Sequence, residues 1–212
     1  MNKYTKPNFE TSALITIDTQ RDTLEGQPLE IKGTSDALPR MKILLDFYRK
    51  NQLPIIHIVR IYKPDGSNVD LCRKELVENG AALLAEDSIG AELARELFDN
   101  DSVRYNTKLL LEGGIQKISD NEVIIYKPRW GAFYNTPLDD YLKSLNVNTL
   151  VFSGCNFPNC PRTSIYEASE RDYKVVLAED ALSGLYEQGI KELENIDVLV
   201  ETTVNIIKKA NV

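Results

Sequence analysis

At 212 residues the chain can bury one large α/β core and falls short of two comfortable domains, so residues 1–212 are read as a single domain. With 42% apolar and 27% charged residues and no apolar run near the length of a bilayer span, its composition is that of a water-soluble globular protein and speaks against membrane insertion. A net charge of -7 argues against a nucleic-acid binder, which needs a basic face to follow phosphates.

Three cysteines in no framework spacing fit a reducing compartment. The polar start MNKYTKPNFETS lacks the apolar core of a secretory signal. The cytoplasm is the expected location.

In chain order, residues 12–18 (SALITID) form an apolar run that ends in the carboxylate of Asp18, which reads as the first and central strand. Residues 34–51 place Leu38, Met41, Leu44, Leu45 and Tyr48 on one helical face. Residues 54–59 (PIIHIV) are a second buried strand. The stretch IYKPDGSNVDLCRKELVENG that follows is rich in Pro, Gly, Asp and Asn, and reads as a surface excursion with room for one helical turn. Residues 89–98 resemble a short helix. Residues 99–121 are ambiguous between a small hairpin and a helix ended by Gly113 and Gly114. Residues 123–126 are a strand closed by Lys127, and Thr136 with Pro137 marks the N-cap and first position of a helix over 138–145. Residues 149–152 are again a strand, turning into a helix near Cys160 and Pro161. Residues 174–178 and 198–200 complete six strands, with helices over 186–193 and 204–209. Apolar strands alternating with helices predict a doubly wound, six-stranded parallel sheet with helices on both faces, in the Rossmann-like manner.

Such sheets bind ligands outside the carboxyl ends of their strands. Three chemically capable residues stand there: Asp18, Lys127 and Cys160. Pro161 suits a first helical turn, so Cys160 should face a helix N-terminus, and with an ammonium such as Lys127 nearby its thiol pKa is expected to fall toward the reactive thiolate. Asp18 could accept the thiol proton and later return it to a leaving amine. His57, the one histidine, lies inside an apolar strand, which disfavours a Cys–His pair. Taken singly, a cysteine is commonly just a buried small hydrophobe, Asp18 a turn residue and Lys127 a solvated cation. Three such groups at converging strand ends are harder to attribute to solvation. The turn GCNFPNC would offer backbone N–H groups to a developing oxyanion. Cys155 reads as structural, and Cys72 falls in the excursion.

These stretches resemble the isochorismatase-like cysteine hydrolases: ALITIDTQRD matches that family's opening strand and D-x-Q turn, YKPRWGAFYNTPLDDYL its lysine strand, and VFSGCNFPNCPRTSIYEA its nucleophile turn. The resemblance implies a catalytic triad of Asp18, Lys127 and Cys160. It also implies a non-proline cis peptide between Cys155 and Asn156, turning the Asn156 N–H, with that of Cys160, into the oxyanion hole. The family's nicotinamidase branch binds a metal through D-x-H and a further histidine after the second strand, where this chain reads RIYKPDGSN, so neither metal nor other cofactor is expected. Members that hydrolyse the isochorismate enol ether often lack the cysteine. Its presence favours cleavage of a small linear amide, ureide or carbamoyl C–N bond. Enol-ether hydrolysis and a non-catalytic binding protein are the alternatives. Gln20, Arg129, Trp130, Phe133 and Asn156 are the candidate substrate contacts, with Arg129 a partner for a substrate carboxylate or else a surface residue. A small molecule is the expected partner, and self-association as a dimer or tetramer is expected from the resemblance.

Overall fold

The computed structural model describes residues 2–99 and 103–211. Its elements run β1 (Ser12–Ile17), α1 (Thr34–Lys50), β2 (Ile55–Val59), α2 (Leu71–Glu78), α3 (Thr107–Leu111), β3 (Ile115–Lys117), β4 (Glu122–Tyr126), α4 (Leu138–Ser144), β5 (Thr149–Gly154), α5 (Cys160–Ser169), β6 (Lys174–Leu182), α6 (Glu187–Glu194), β7 (Leu199–Glu201) and α7 (Thr203–Ala210). The sheet order is β3-β4-β2-β1-β5-β6-β7, with β1 in the middle. Every neighbouring pair is parallel except β3 with β4. The six expected parallel strands are all present, and β3 adds an antiparallel edge.

Every residue of β1, β2, β4 and β5 is buried, because helices cover both faces and neither side of these strands meets water. Side chains alternate between the two layers. Ala13, Ile15 and Ile17 pack with Leu138 and Leu142 of α4, Ile165 and Ala168 of α5 and Leu193 of α6. Leu14 points the other way, into the layer made by Leu38, Met41, Leu44, Leu45 and Tyr48 of α1 with Ile206 of α7. Burying each such side chain is worth about 1.5–3 kcal/mol, which is why the apolar runs decide where the sheet forms.

Register carries the chemistry to one edge of the sheet. Ile17 sits beside Ile58 and Gly154, and Val59 beside Tyr126. Asp18 and Cys155 therefore stand level with Val59 and Tyr126, and Arg60 and Lys127 follow one residue further along at the same carboxyl edge.

Three expectations change and one open reading is resolved. Residues 89–98 form two 3-10 turns, Ile89–Ala91 and Arg95–Leu97, instead of a helix. Hydrogen bonds from Arg21 N to Glu92 O and from Ala94 N to Thr19 O, each near 3 Å, hold the residues between them extended against the chain after β1. The excursion after β2 contains two helical turns, α2, none of whose residues is buried. Of residues 99–121, of which 100–102 lie outside the described residues, both readings hold in part: α3 ends at Gly113 (φ +84°), and β3 then pairs back on β4. Pro137 takes the cap position of α4, and the Thr136 hydroxyl just before it donates to Ala132 O at 2.6 Å while accepting from Leu138 N at 3.4 Å. Among the described residues no helix is long and apolar enough to cross a membrane.

Candidate active site

Asp18 leaves β1 in a left-handed conformation, φ +47°, which aspartate tolerates better than most residues. Its backbone is held from several sides. Asp18 N donates to Ile58 O (2.9 Å), and Asp18 O accepts from Gln20 N (2.9 Å), Cys155 Sγ (3.0 Å) and Thr23 Oγ1 (3.3 Å). The side chain is thereby aimed across the strand ends, where Oδ2 meets Lys127 Nζ at 2.8 Å. Asp18 Oδ1 is buried and, among the described residues, has no hydrogen-bond partner. Lys127 has no exposed surface, and its ammonium also reaches Cys160 Sγ at 3.1 Å and Arg129 O at 3.3 Å. Three groups from β1, β4 and the start of α5 thus lie in contact.

The turn between β5 and α5 is built by close packing. Gly154 has φ +118°, and a Cβ there would lie 2.2 Å from Ile17 O, so only glycine fits. Cys155 N donates to Ile17 O (2.9 Å), Ser183 N to Gly154 O (3.1 Å) and Phe157 N to Ser183 O (2.8 Å), which clamps the turn between β1 and the end of β6. The Cys155–Asn156 peptide is cis, as the resemblance implies. Asn159 N then donates to Asn156 O (3.1 Å), and Cys160 opens α5 with Pro161 behind it.

The electrostatics correct one expectation. Cys160 is only 6% exposed, and burial pushes its thiol up to about 12, with the Asp18 carboxylate adding to the rise and Lys127 opposing it. The resting sulfur is a thiol, because desolvation and the negative charge of Asp18 outweigh the ammonium. Burial also works against the charge on Lys127, but Asp18 and Cys160 more than compensate and hold its pKa above the ordinary value. A permanent cation therefore sits between a carboxylate and a sulfur that still carries its proton. Cys155 is buried as well, its thiol likewise pushed up to about 12, and it serves the backbone of Asp18.

The family model for the Isochorismatase domain matches residues 12–207. The chain belongs to the isochorismatase family. A crystal structure of an isochorismatase family protein from Desulfovibrio vulgaris superposes with a TM-score of 0.80 at 28% identity, covering 95% of this chain and 99% of the other. A relative in Arabidopsis thaliana named "probable inactive nicotinamidase" is 26% identical over 201 residues, 92% of this chain and 93% of that protein. A ureidoacrylate amidohydrolase of Methylorubrum extorquens is 32% identical over 78 residues, 36% of this chain and 32% of the other.

Against the isochorismatase fold, the expected substrate contacts divide. Asn156 lies in the clamped turn and Trp130 packs, half-buried, against the core layer that contains Cys160. Gln20 does not face a ligand: its amide is fully used, donating to Arg60 O (2.7 Å) and Ala91 O (2.5 Å) and accepting from Arg60 N (2.9 Å). It braces the site from behind. Phe133 turns into the core, between Arg171 (4.9 Å from its ring) and Tyr173, because the Gly131–Ala132–Phe133 backbone is laid on α5 by hydrogen bonds to Ser164 and Glu167. Arg129 is exposed, its guanidinium bound to Pro128 O and Asn68 O.

The excursion supplies groups that sequence reading missed. Arg60 Nη1 donates to Lys127 O (3.1 Å) and Nη2 pairs with Asp70. Tyr62 OH donates to Asp70 Oδ2 and accepts from Arg73 Nη1, both at 2.9 Å. Arg73 lies over the Trp130 ring at 5.3 Å. In the region where the nicotinamidase branch binds its metal, this chain therefore carries guanidinium groups, with Asp70 Oδ2 taken by Arg60 and Tyr62, and among the described residues no group of three His, Cys, Asp or Glu side chains is placed to hold a metal ion. That donor set does not fit a divalent cation.

Proposed function

We propose that this chain is a metal-independent cysteine amidohydrolase that cleaves the C–N bond of a small linear amide, ureide or carbamoyl compound. The observation that carries the reading is the contact of one buried ammonium, Lys127, with both the Asp18 carboxylate and the Cys160 sulfur. Asp18 takes the thiol proton as Sγ attacks the substrate carbonyl, and the carbonyl oxygen becomes an oxyanion held by the Asn156 and Cys160 N–H groups. The C–N bond then breaks as Asp18 gives the proton to the departing nitrogen. Water attacks the resulting thioester, with Asp18 again accepting a proton, and Cys160 leaves as the thiol. Lys127 stays charged throughout and holds the Asp18 carboxylate in place through the 2.8 Å ion pair. The Methylorubrum relative named as a ureidoacrylate amidohydrolase supports the ureide end of this range.

A second reading, a non-catalytic binding protein, draws on the small exposure of the sulfur and on the name of the Arabidopsis relative. Intact-mass spectrometry during incubation with a panel of small amides and ureides, with ammonia release followed in parallel, separates the two. Hydrolysis predicts a substrate-dependent acyl adduct on Cys160, and Cys160→Ala should remove the adduct and lower turnover by about four orders of magnitude or more. Ammonia released equally by Cys160→Ala, or no adduct and no release across the panel, would overturn the hydrolase reading.

A further inference from the structure

Arg73 stands on α2, a helix with no buried residue, yet its side chain is turned inward and fixed. Its guanidinium lies 5.3 Å over the ring of Trp130, three residues beyond Lys127, and Nη1 donates to Tyr62 OH at 2.9 Å. Tyr62 is held by Asp70, Asp70 by Arg60, and Arg60 by the carbonyl of Lys127. A closed circuit of contacts thus ties Arg73 to the strand that carries the buried ammonium. Asn68 anchors the loop before α2 as well, donating to Ile61 O (2.8 Å) and Tyr126 OH (2.9 Å). Burial disfavours the charge on Arg73, but Tyr62, Cys160 and Asp18 outweigh it and hold its pKa above the ordinary value. Among the described residues, Nε and Nη2 carry no hydrogen bond. A half-buried arginine held at its ring face and at one nitrogen, with the rest of its fork unused, is prepared for a planar anion.

We propose that Arg73 binds a carboxylate of the substrate, so that the compound cleaved is an anionic one: an N-carbamoyl or amido acid whose amide carbonyl lies at Cys160. This rests on the hydrolase reading and names the substrate class for it. It also moves the carboxylate-binding role from Arg129, which is exposed and whose Nη1 is turned to two loop carbonyls.

The test uses matched pairs that differ only in the carboxylate: N-carbamoylglycine against N-ethylurea, and N-carbamoyl-β-alanine against N-propylurea. Turnover should favour the acid in at least one pair, and Arg73→Gln should lower the acid-to-neutral ratio of kcat/KM by about tenfold to a hundredfold, mainly through KM, as removal of a charge-assisted hydrogen bond does. Arg73→Lys, which keeps the charge and loses the fork, should restore part of the ratio and serves if the glutamine variant does not fold. Calorimetric titration of the same four compounds into the Cys160→Ala protein, with and without Arg73→Gln, reads binding without chemistry. Acid binding that Arg73→Gln weakens upholds the inference even if no compound is hydrolysed, in which case it is the hydrolase reading that falls. Equal handling of acid and neutral partners, or an acid preference that survives Arg73→Gln, overturns the role of Arg73 and leaves the hydrolase reading standing. Failure of all four compounds to bind or react also overturns it.

Discussion

Lys127 carries a full charge with no surface in water, so its partners decide whether the site can exist. Lys127→Met should cost about 3–5 kcal/mol in urea unfolding, because it strands the Asp18 carboxylate in the interior. Adding Asp18→Asn to that variant should recover much of the loss, since the uncompensated charge goes with it. Which residues meet here was legible in the sequence, because Asp18 and Lys127 each end an apolar run and Cys160 precedes a helix-starting proline. Their protonation was not. Helix N-terminus and ammonium both argue for a thiolate, but the depth of burial and the sign of the Asp18 charge belong to the assembled fold, and they win. The raised thiols have a consequence for stability. Each binds its proton more tightly folded than unfolded, so the stability is intact below about pH 9 and is lost as pH rises toward 12. Unfolding free energy should decline above pH 9 by up to about 1.4 kcal/mol per pH unit for each thiol, and denaturant titrations between pH 8 and 10.5 should show a shallower decline in Cys160→Ala.

At the scale of elements, the strand-to-helix joint at Gly154 is the least forgiving. Gly154→Ala would place a methyl against a backbone carbonyl that cannot swing away, in a conformation alanine avoids, and should lower stability by about 3 kcal/mol or more in thermal or chemical unfolding. Gly113→Asn offers the contrast. Its φ is also positive, but nothing lies within 4 Å of the added carbon, so the change should stay within about 1 kcal/mol. Legibility varied among elements for a physical reason. Strands covered on both faces and α1 announce themselves through apolar runs and one-sided spacing. The helix α2 buries nothing, so no stripe marks it, and Arg73 could not be told from a solvated cation. Residues 89–98 carry helical spacing but are pulled out of a helix by backbone bonds to Thr19 and Arg21, partners some seventy residues away, a scale no local pattern reports.

Across the whole molecule, one charged cluster joins layers that the apolar core only stacks. Glu122 of β4 accepts from Arg49 of α1 (2.7 and 2.9 Å) and bonds His57 of β2 (2.8 Å), which in turn meets Thr16 of β1 (2.7 Å). Burial raises the Glu122 carboxyl, but the His57 and Arg49 hydrogen bonds prevail and bring it down to about 2. Its stabilising contribution is complete above about pH 4.5 and drains away as pH falls toward 2, a loss on the order of 3 kcal/mol. Denaturant midpoints followed from pH 6 to 3 should show this decline, and Glu122→Gln should flatten it while lowering stability at neutral pH. Both outer strands of the sheet, β3 and β7, are three residues long. So brief a rim offers a stray chain few unpaired amides to zip onto, and the tall, greasy interior strands stay out of reach of templated fibril growth as long as the fold is intact.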